Sequence, residues 1–145
     1  MASSIAYSAD RAVTDSDLRA LYGSVDWSLY LEKYSDLTVL LPGCHLVMTA
    51  WDGNKLVGLV RAIGDGISIE YIQDILVDPE YQSRGIGAHL LDWVLDQSKD
   101  CYQVILTADA GDSGIAARKL YEKHGLIQFV NANGYTGFYR PQVTS

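Results

Sequence analysis

The sequence predicts a single domain of the α/β (α+β) class, a mixed, mostly antiparallel sheet of six to seven strands with about four helices on its faces. Three observations predict it. Strand-like and helix-like runs follow one another in the order βαα, βββ, α, β, α, ββ. The 145 residues fall within the span of one domain and suffice to bury a core. A glycine turn, Gln82-Ser83-Arg84-Gly85-Ile86-Gly87, joins an apolar strand-like run to an amphipathic helical one. No repeat or linker divides the chain, so residues 1–145 are expected to form one domain.

Each element has its own local signal. After an opening strand, Thr14 reads as a helix N-cap, with Asp15 and Asp17 in the first turn and Leu18, Leu21 and Tyr22 at helical spacing. Gly23 is the expected end. A second helix is expected after Asp26, with Trp27, Tyr30 and Tyr34 along one side, and Leu41-Pro42-Gly43 breaks the pattern. Residues 45–51 and 55–63 alternate like strands around the short hairpin Asp52-Gly53-Asn54, and Gly64-Asp65-Gly66 turns the chain into a third strand over 67–77. The helix after the glycine turn buries Ile86, Leu90, Leu91, Val94 and Leu95 and exposes Asp92, Asp96 and Lys99. A strand over 102–108, a helix over 113–124 and a hairpin of 126–130 with 135–140 around Asn133-Gly134 complete the chain.

Composition removes several function classes. A formal net charge of −7 opposes a nucleic-acid partner and favours a cationic one. No run approaches the roughly 18 apolar residues of a membrane span, and the start lacks a secretion signal, so a cytoplasmic location is expected. Cys44 and Cys101 read as small buried hydrophobes rather than a disulfide framework. On a strand, Cys44 and His45 would point to opposite faces and could not act as a pair. His45, His89 and His124 show no ligand spacing, so no metal is expected.

The glycine turn is an anion cradle. Glycines let the backbone come close to a ligand, and the unpaired N–H groups of a following helix favour phosphate oxygens. A Walker loop would need Gly-Lys-Ser/Thr at its end, which Gly85-Ile86-Gly87-Ala88 lacks. A dinucleotide fingerprint would need a third glycine. The run from Ile75 through Asp78-Pro79 to Gly87 instead resembles the cofactor motif of the GNAT superfamily of acyl-CoA-dependent N-acetyltransferases. Ala117-Arg118-Lys119-Leu120-Tyr121-Glu122-Lys123-His124-Gly125-Leu126 resembles that family's second signature. The resemblance covers most of the chain from about Val47 onward. It implies acetyl-CoA as co-substrate, with the backbone of Ile75, Leu76 and Val77 along the pantetheine in a wedge between splayed parallel strands. Gln82, Ser83, Arg84, Gly85, Ile86, Gly87 and Ala88 would hold the pyrophosphate. A homodimer through the C-terminal strands is a further implication.

Acetyl transfer to an amine needs a base, an oxyanion donor and an acid for the leaving thiolate. The resemblance makes Tyr121 the general acid. Asp74, expected to share a strand face with Ile72 and Leu76, interrupts an apolar stripe and is a candidate base; equally, it could be an acid satisfied by a neighbouring loop. Asp109, at the carboxyl end of its strand, could bind or deprotonate an ammonium group or simply cap a turn. Glu70 and Tyr71 are weaker candidates. Many family members have Asn seven residues before the tyrosine, a pantetheine contact; here Gly114 stands there, and Leu126 replaces the final Phe. Trp27, Tyr30 and Tyr34 would suit an amine with an aromatic or apolar body, or would pack on the sheet. The leading reading is transfer from acetyl-CoA to a primary amine of a small molecule in a ternary complex. A protein or peptide acetyltransferase and a non-catalytic acyl-CoA sensor are the alternatives.

Overall fold

Capping fixes the first helix in the computed structural model, which describes residues 4–109, 111–132 and 135–141. Thr14 Oγ1 accepts from the N–H of Asp17 at 3.1 Å, and Asp17 Oδ2 accepts from the N–H of Thr14 at 3.0 Å. Helix α1 (Asp15–Ser24) runs one residue past Gly23 and buries Leu18, Leu21 and Tyr22. α2 (Ser28–Lys33) is only six residues long and buries none of them. Trp27 and Tyr34 flank it as caps rather than lying within it.

One sheet of seven strands organises the rest, in the order β1 (Ala6–Ser8), β2 (Leu46–Asp52), β3 (Lys55–Gly64), β4 (Ile69–Val77), β5 (Gln103–Asp109), β7 (Tyr135–Tyr139), β6 (Ile127–Ala132). All neighbours are antiparallel except β4 and β5. α3 (Ile86–Gln97) and α4 (Ile115–Lys123) cover one face, where Val57, Val60, Ile72, Leu90, Val94 and Leu106 belong to the larger core cluster. α1 covers the other, over Trp51, Leu59 and Leu76. α3 approaches β3 closely because Gly58 has no side chain; a Cβ there would meet Ile86 Cγ2 at 3.0 Å. The expected element order is reproduced, while the expected turn at Asn133-Gly134 lies outside the described residues.

One irregularity in β4 shapes the functional end of the sheet. Arg61 faces Asp74, but the next β3 residue, Ala62, faces Ile72, so Gln73 is the extra residue of a bulge. The bulge reverses the alternation. Ile72 joins the cluster under α3, whereas Leu76 joins the cluster under α1, on the side where Asp74 meets Tyr22 of α1. The expectation that Asp74 shares a face with Ile72 is therefore corrected, while its sharing one with Leu76 holds.

The same place ends the pairing of β4 with β5. Their register runs from Ile69↔Gln103 to Ile72↔Leu106 and stops, although β4 continues to Val77 and β5 to Asp109. Two parallel strands thus diverge, which opens the anticipated wedge. Backbone groups along it need partners from elsewhere.

Candidate active site

The pairing register decides which backbone groups face the wedge. Asp78 N–H donates to Val57 O at 2.8 Å, and hydrogen-bonded pairs alternate along an antiparallel ladder. Counting back, the backbones of Leu76 and Asp74 are spent on Leu59 and Arg61 of β3, while those of Ile75 and Val77 turn toward the wedge. Of the three strand residues expected to line a ligand with their backbone, Leu76 does not; its side chain is buried under α1. Gln82 reaches back to the wedge side, its Nε2 donating to Val77 O at 3.4 Å.

The loop after β4 has the form of a cradle. Ser83 (φ 64°) and Gly85 (φ 79°) both adopt left-handed backbone, and Gly85 is the N-cap of α3 with no side-chain cap. The first N–H groups of α3, including those of Ile86, Gly87 and Ala88, thus start a helix whose positive end is uncapped. A Cβ at Gly85 would meet nothing within 4 Å, so open space lies before it. At Gly87 a Cβ would stand 3.4 Å from Leu120 of α4. Ile86 is core, and Arg84 lies over the Tyr81 ring at 4.9 Å. Lys55, 3.4 Å from Asp78, adds a second cation beside the loop. These residues fit an anionic, phosphate-bearing ligand.

The wedge opens into a cleft of about 960 Å³ that extends to Pro79 and Gln82, at the start of the loop. It is lined by Ile72 to Ile75, Pro79 and Gln82 on one side and Leu106 to Asp109 on the other, and it reaches the α1–α2 corner at Asp26, Trp27 and Tyr30. Tyr121, Asp74 and Asp109 all border it. Among the α4 residues Tyr121 alone is buried, at 5% exposure, edge-on to Phe138 with centroids 5.3 Å apart. Burial pushes its pKa up to about 12, so the phenol holds its proton at neutral pH. Among the described residues its hydroxyl has no hydrogen-bond partner.

Asp74, also 5% exposed, is held by a network the sequence did not reveal. Arg61 Nε donates to its Oδ2 at 2.5 Å and Tyr22 OH at 2.8 Å. Burial disfavours the Arg61 charge, but the Asp74 carboxylate outweighs this and holds its pKa above the ordinary value. Arg61 also donates to Tyr30 OH (3.1 Å), Leu40 O (3.4 Å) and Cys44 Sγ (3.7 Å). Cys44 is thus half-buried in a polar cluster, not the buried hydrophobe expected; Cys101 is buried. An arginine in the apolar run Leu56–Ile63 was the available signal.

Asp109 behaves as the cap of its own turn. It accepts from Ser113 Oγ and, at 2.8 Å, from the Gly111 N–H, and these bonds hold its pKa below the usual carboxylate range. Gly114 cannot be replaced on this backbone, because a Cβ would collide with the Asp109 carbonyl oxygen. Glu70 is fully buried, bonded to His45 Nδ1 at 2.7 Å, and does not border the cleft. Tyr71 OH bonds Thr107 Oγ1 at 3.1 Å on the cleft wall. Of the three expected aromatics, Trp27 and Tyr30 line the cleft and Tyr34 does not.

This geometry has relatives. The family model described as the acetyltransferase (GNAT) family matches residues 12–126. The glucosamine 6-phosphate N-acetyltransferase of Trypanosoma brucei brucei is 32% identical over 139 residues, covering 78% of this chain and 90% of that protein. The chain spans less of two other curated relatives, 39% of one from Gibberella zeae and 61% of an uncharacterized N-acetyltransferase from Prochlorococcus marinus. Among solved structures, a GNAT family acetyltransferase of Streptococcus pneumoniae superposes with a TM-score of 0.67 at 27% identity, over 90% of this chain and 98% of that one. One from Elizabethkingia anophelis, solved with acetyl-CoA bound, shares the fold with a TM-score of 0.70 at 18% identity, over 95% and 98%.

Proposed function

Since the chain belongs to the acetyltransferase (GNAT) family, we propose that it is an N-acetyltransferase moving an acetyl group from acetyl-CoA directly to a primary amine of a small molecule in a ternary complex. The observation that carries this reading is a convergence. Wedge-facing backbone at Ile75, a buried phenol and the carboxylates of Asp74 and Asp109 border one cleft.

Each role follows from placement. The N–H groups at the start of α3 and the loop from Gln82 to Ala88 hold the pyrophosphate, with Arg84 and Lys55 adding positive charge. The backbone of Ile75 and Val77 aligns the pantetheine arm as a further strand would. Acetyl-CoA supplies an activated thioester. The acceptor nitrogen bonds the carbonyl carbon, the carbon–sulfur bond breaks, and Tyr121 gives its proton to the departing sulfur. The proton lost by the amine passes to Asp109 or, through water, to Asp74, whose Oδ1 has no partner among the described residues. Neither acid is singled out: Asp109 accepts through both oxygens, from the Gly111 N–H and Ser113 Oγ, and Asp74 accepts through Oδ2, from Arg61 and Tyr22.

Thiol release from acetyl-CoA, measured across primary amines, amino acids and peptides, tests the proposal. Turnover with small amines is expected. Turnover confined to peptides would assign a protein substrate. Coenzyme A binding without turnover on any acceptor would make the chain a sensor.

A further inference from the structure

The acceptor end of the cleft has a charge pattern that selects among amines. Its lining contains three carboxylates, Asp26, Asp74 and Asp109, and no lysine, arginine or histidine among the described residues. Two guanidiniums stand behind the wall. Arg61 pairs with Asp74, and its other N–H groups are bound to Tyr30, Leu40 and Cys44. Arg118 sits behind Asp109 with Nη1 on the carbonyl oxygens of Asp109 and Gly111. Lys33, at the end of α2, turns to the Tyr34 ring. Three acids against two backing cations leave one negative charge, and it lies on Asp26.

Asp26 is unusual in its own right. It takes left-handed backbone (φ 61°) at the corner between α1 and α2, held by its N–H to Gly23 O at 3.2 Å. Its carboxylate has no hydrogen-bond or ion-pair partner among the described residues. Asp26 is exposed, and the next residue, Trp27, lines the same cleft with 41% of its surface exposed, so an unpaired acid and an aromatic side chain are neighbours in the lining. That pair is suited to a cation held by charge on one side and a π-face on the other.

The reacting nitrogen cannot be that cation, because it must be neutral to attack a thioester. We infer that the acceptor is a dicationic amine without anionic groups, a diamine or longer polyamine, whose non-reacting ammonium sits between Asp26 and Trp27. This rests on the transferase reading above and narrows it. A phosphorylated amino sugar, the substrate in the name of the trypanosomal relative, meets no free cation in this lining and faces three acids. Asp26 is then a specificity residue and takes no part in bond making.

Acceptors of one chain length separate charge from size. Thiol release from acetyl-CoA is measured with 1,4-diaminobutane, butylamine and 4-aminobutanoate, and with glucosamine and its 6-phosphate. The diamine should exceed butylamine in kcat/KM by about tenfold, the value of one charged contact, and 4-aminobutanoate and the phosphosugar should be the weakest. Asp26→Asn should bring the diamine-to-butylamine ratio down toward about two, the statistical value for two equivalent amines, as should raised salt in the unsubstituted protein. A merely structural Asp26 would change all acceptors in proportion. A preference for 4-aminobutanoate or glucosamine 6-phosphate, or a ratio unmoved by Asp26→Asn, overturns the inference while acetyl transfer stands. Release from no acceptor, with coenzyme A binding intact by calorimetry, brings down the transferase reading and this inference with it.

Discussion

Tyr121 and Gly85 show how one residue type is demanded by two neighbours at once. Tyr121 must be buried to lie against Phe138, yet leave its hydroxyl unpaired in the cleft. Tyr121→Phe keeps the ring and removes the proton donor. It should lower kcat by roughly 10²- to 10⁴-fold with acetyl-CoA affinity nearly kept, read from steady-state rates and calorimetry. Gly85 has open space where a side chain would go but a backbone that L-residues seldom adopt. Gly85→Asp is tolerated by the fold, since Asp enters left-handed backbone more readily than most residues, and places a negative charge where the pyrophosphate is proposed to lie. Loss of coenzyme A binding in calorimetry, with an unchanged circular dichroism spectrum, is the expected result.

At the scale of elements, β4 is two half-strands with different duties. Its first half is sealed between β3 and β5, and its second is paired with β3 only. The register therefore predicts alternating behaviour in hydrogen exchange. The amides of Ile75 and Val77 should exchange faster than those of Asp74 and Leu76 in the free protein, and slow selectively when coenzyme A is added. Uniform protection along Asp74 to Val77 before addition would mean that the wedge is closed. Element order and type were legible in the sequence because each depends on local signals: the Thr14 cap, the alternation in β2 and β3, and Gly85 before α3. The bulge was not legible. Gln73 is an ordinary strand residue, and only its pairing with a segment a dozen residues earlier shows that it is one too many. Asp74 was singled out as a candidate, but its network with Arg61 and Tyr22 escaped for the same reason, since the three meet only after α1 is laid on the sheet. Asp26 looked like a helix start, and its left-handed backbone is visible only in space.

Across the whole molecule, protonation limits stability from both sides. Asp65 accepts from Ser68 Oγ and from the N–H groups of Ile67, Ser68 and Ile69, and Asp15 accepts from the Leu37 N–H and Arg19. Those bonds hold both pKa values below the ordinary carboxylate value. Their stabilisation is present above the unfolded value near 4 and is lost as pH falls through the lower folded values. Tyr121 is the reverse. Burial raises it to about 12, so its contribution is complete below the unfolded value near 10 and disappears as pH rises toward 12. Denaturant midpoints should therefore fall at both the acid and the alkaline end. Tyr121→Phe should soften the alkaline fall alone.

The bulge at Gln73 also leaves the sheet one residue too long to be finished. Remove that residue, and Ile72, Asp74, Ile75, Leu76 and Val77 alternate without a break, with every side chain on the face it already occupies. Nothing in the two cores objects to the shorter chain, and β4 becomes free to go on pairing with β5 past Ile72. Deletion of Gln73 should therefore give a protein that melts no lower than the parent and yet binds no coenzyme A. Insertions and deletions are usually judged by what they break, but here one would mend the strand and end the function. That outcome would make one surplus residue the reason the two strands part beyond Ile72.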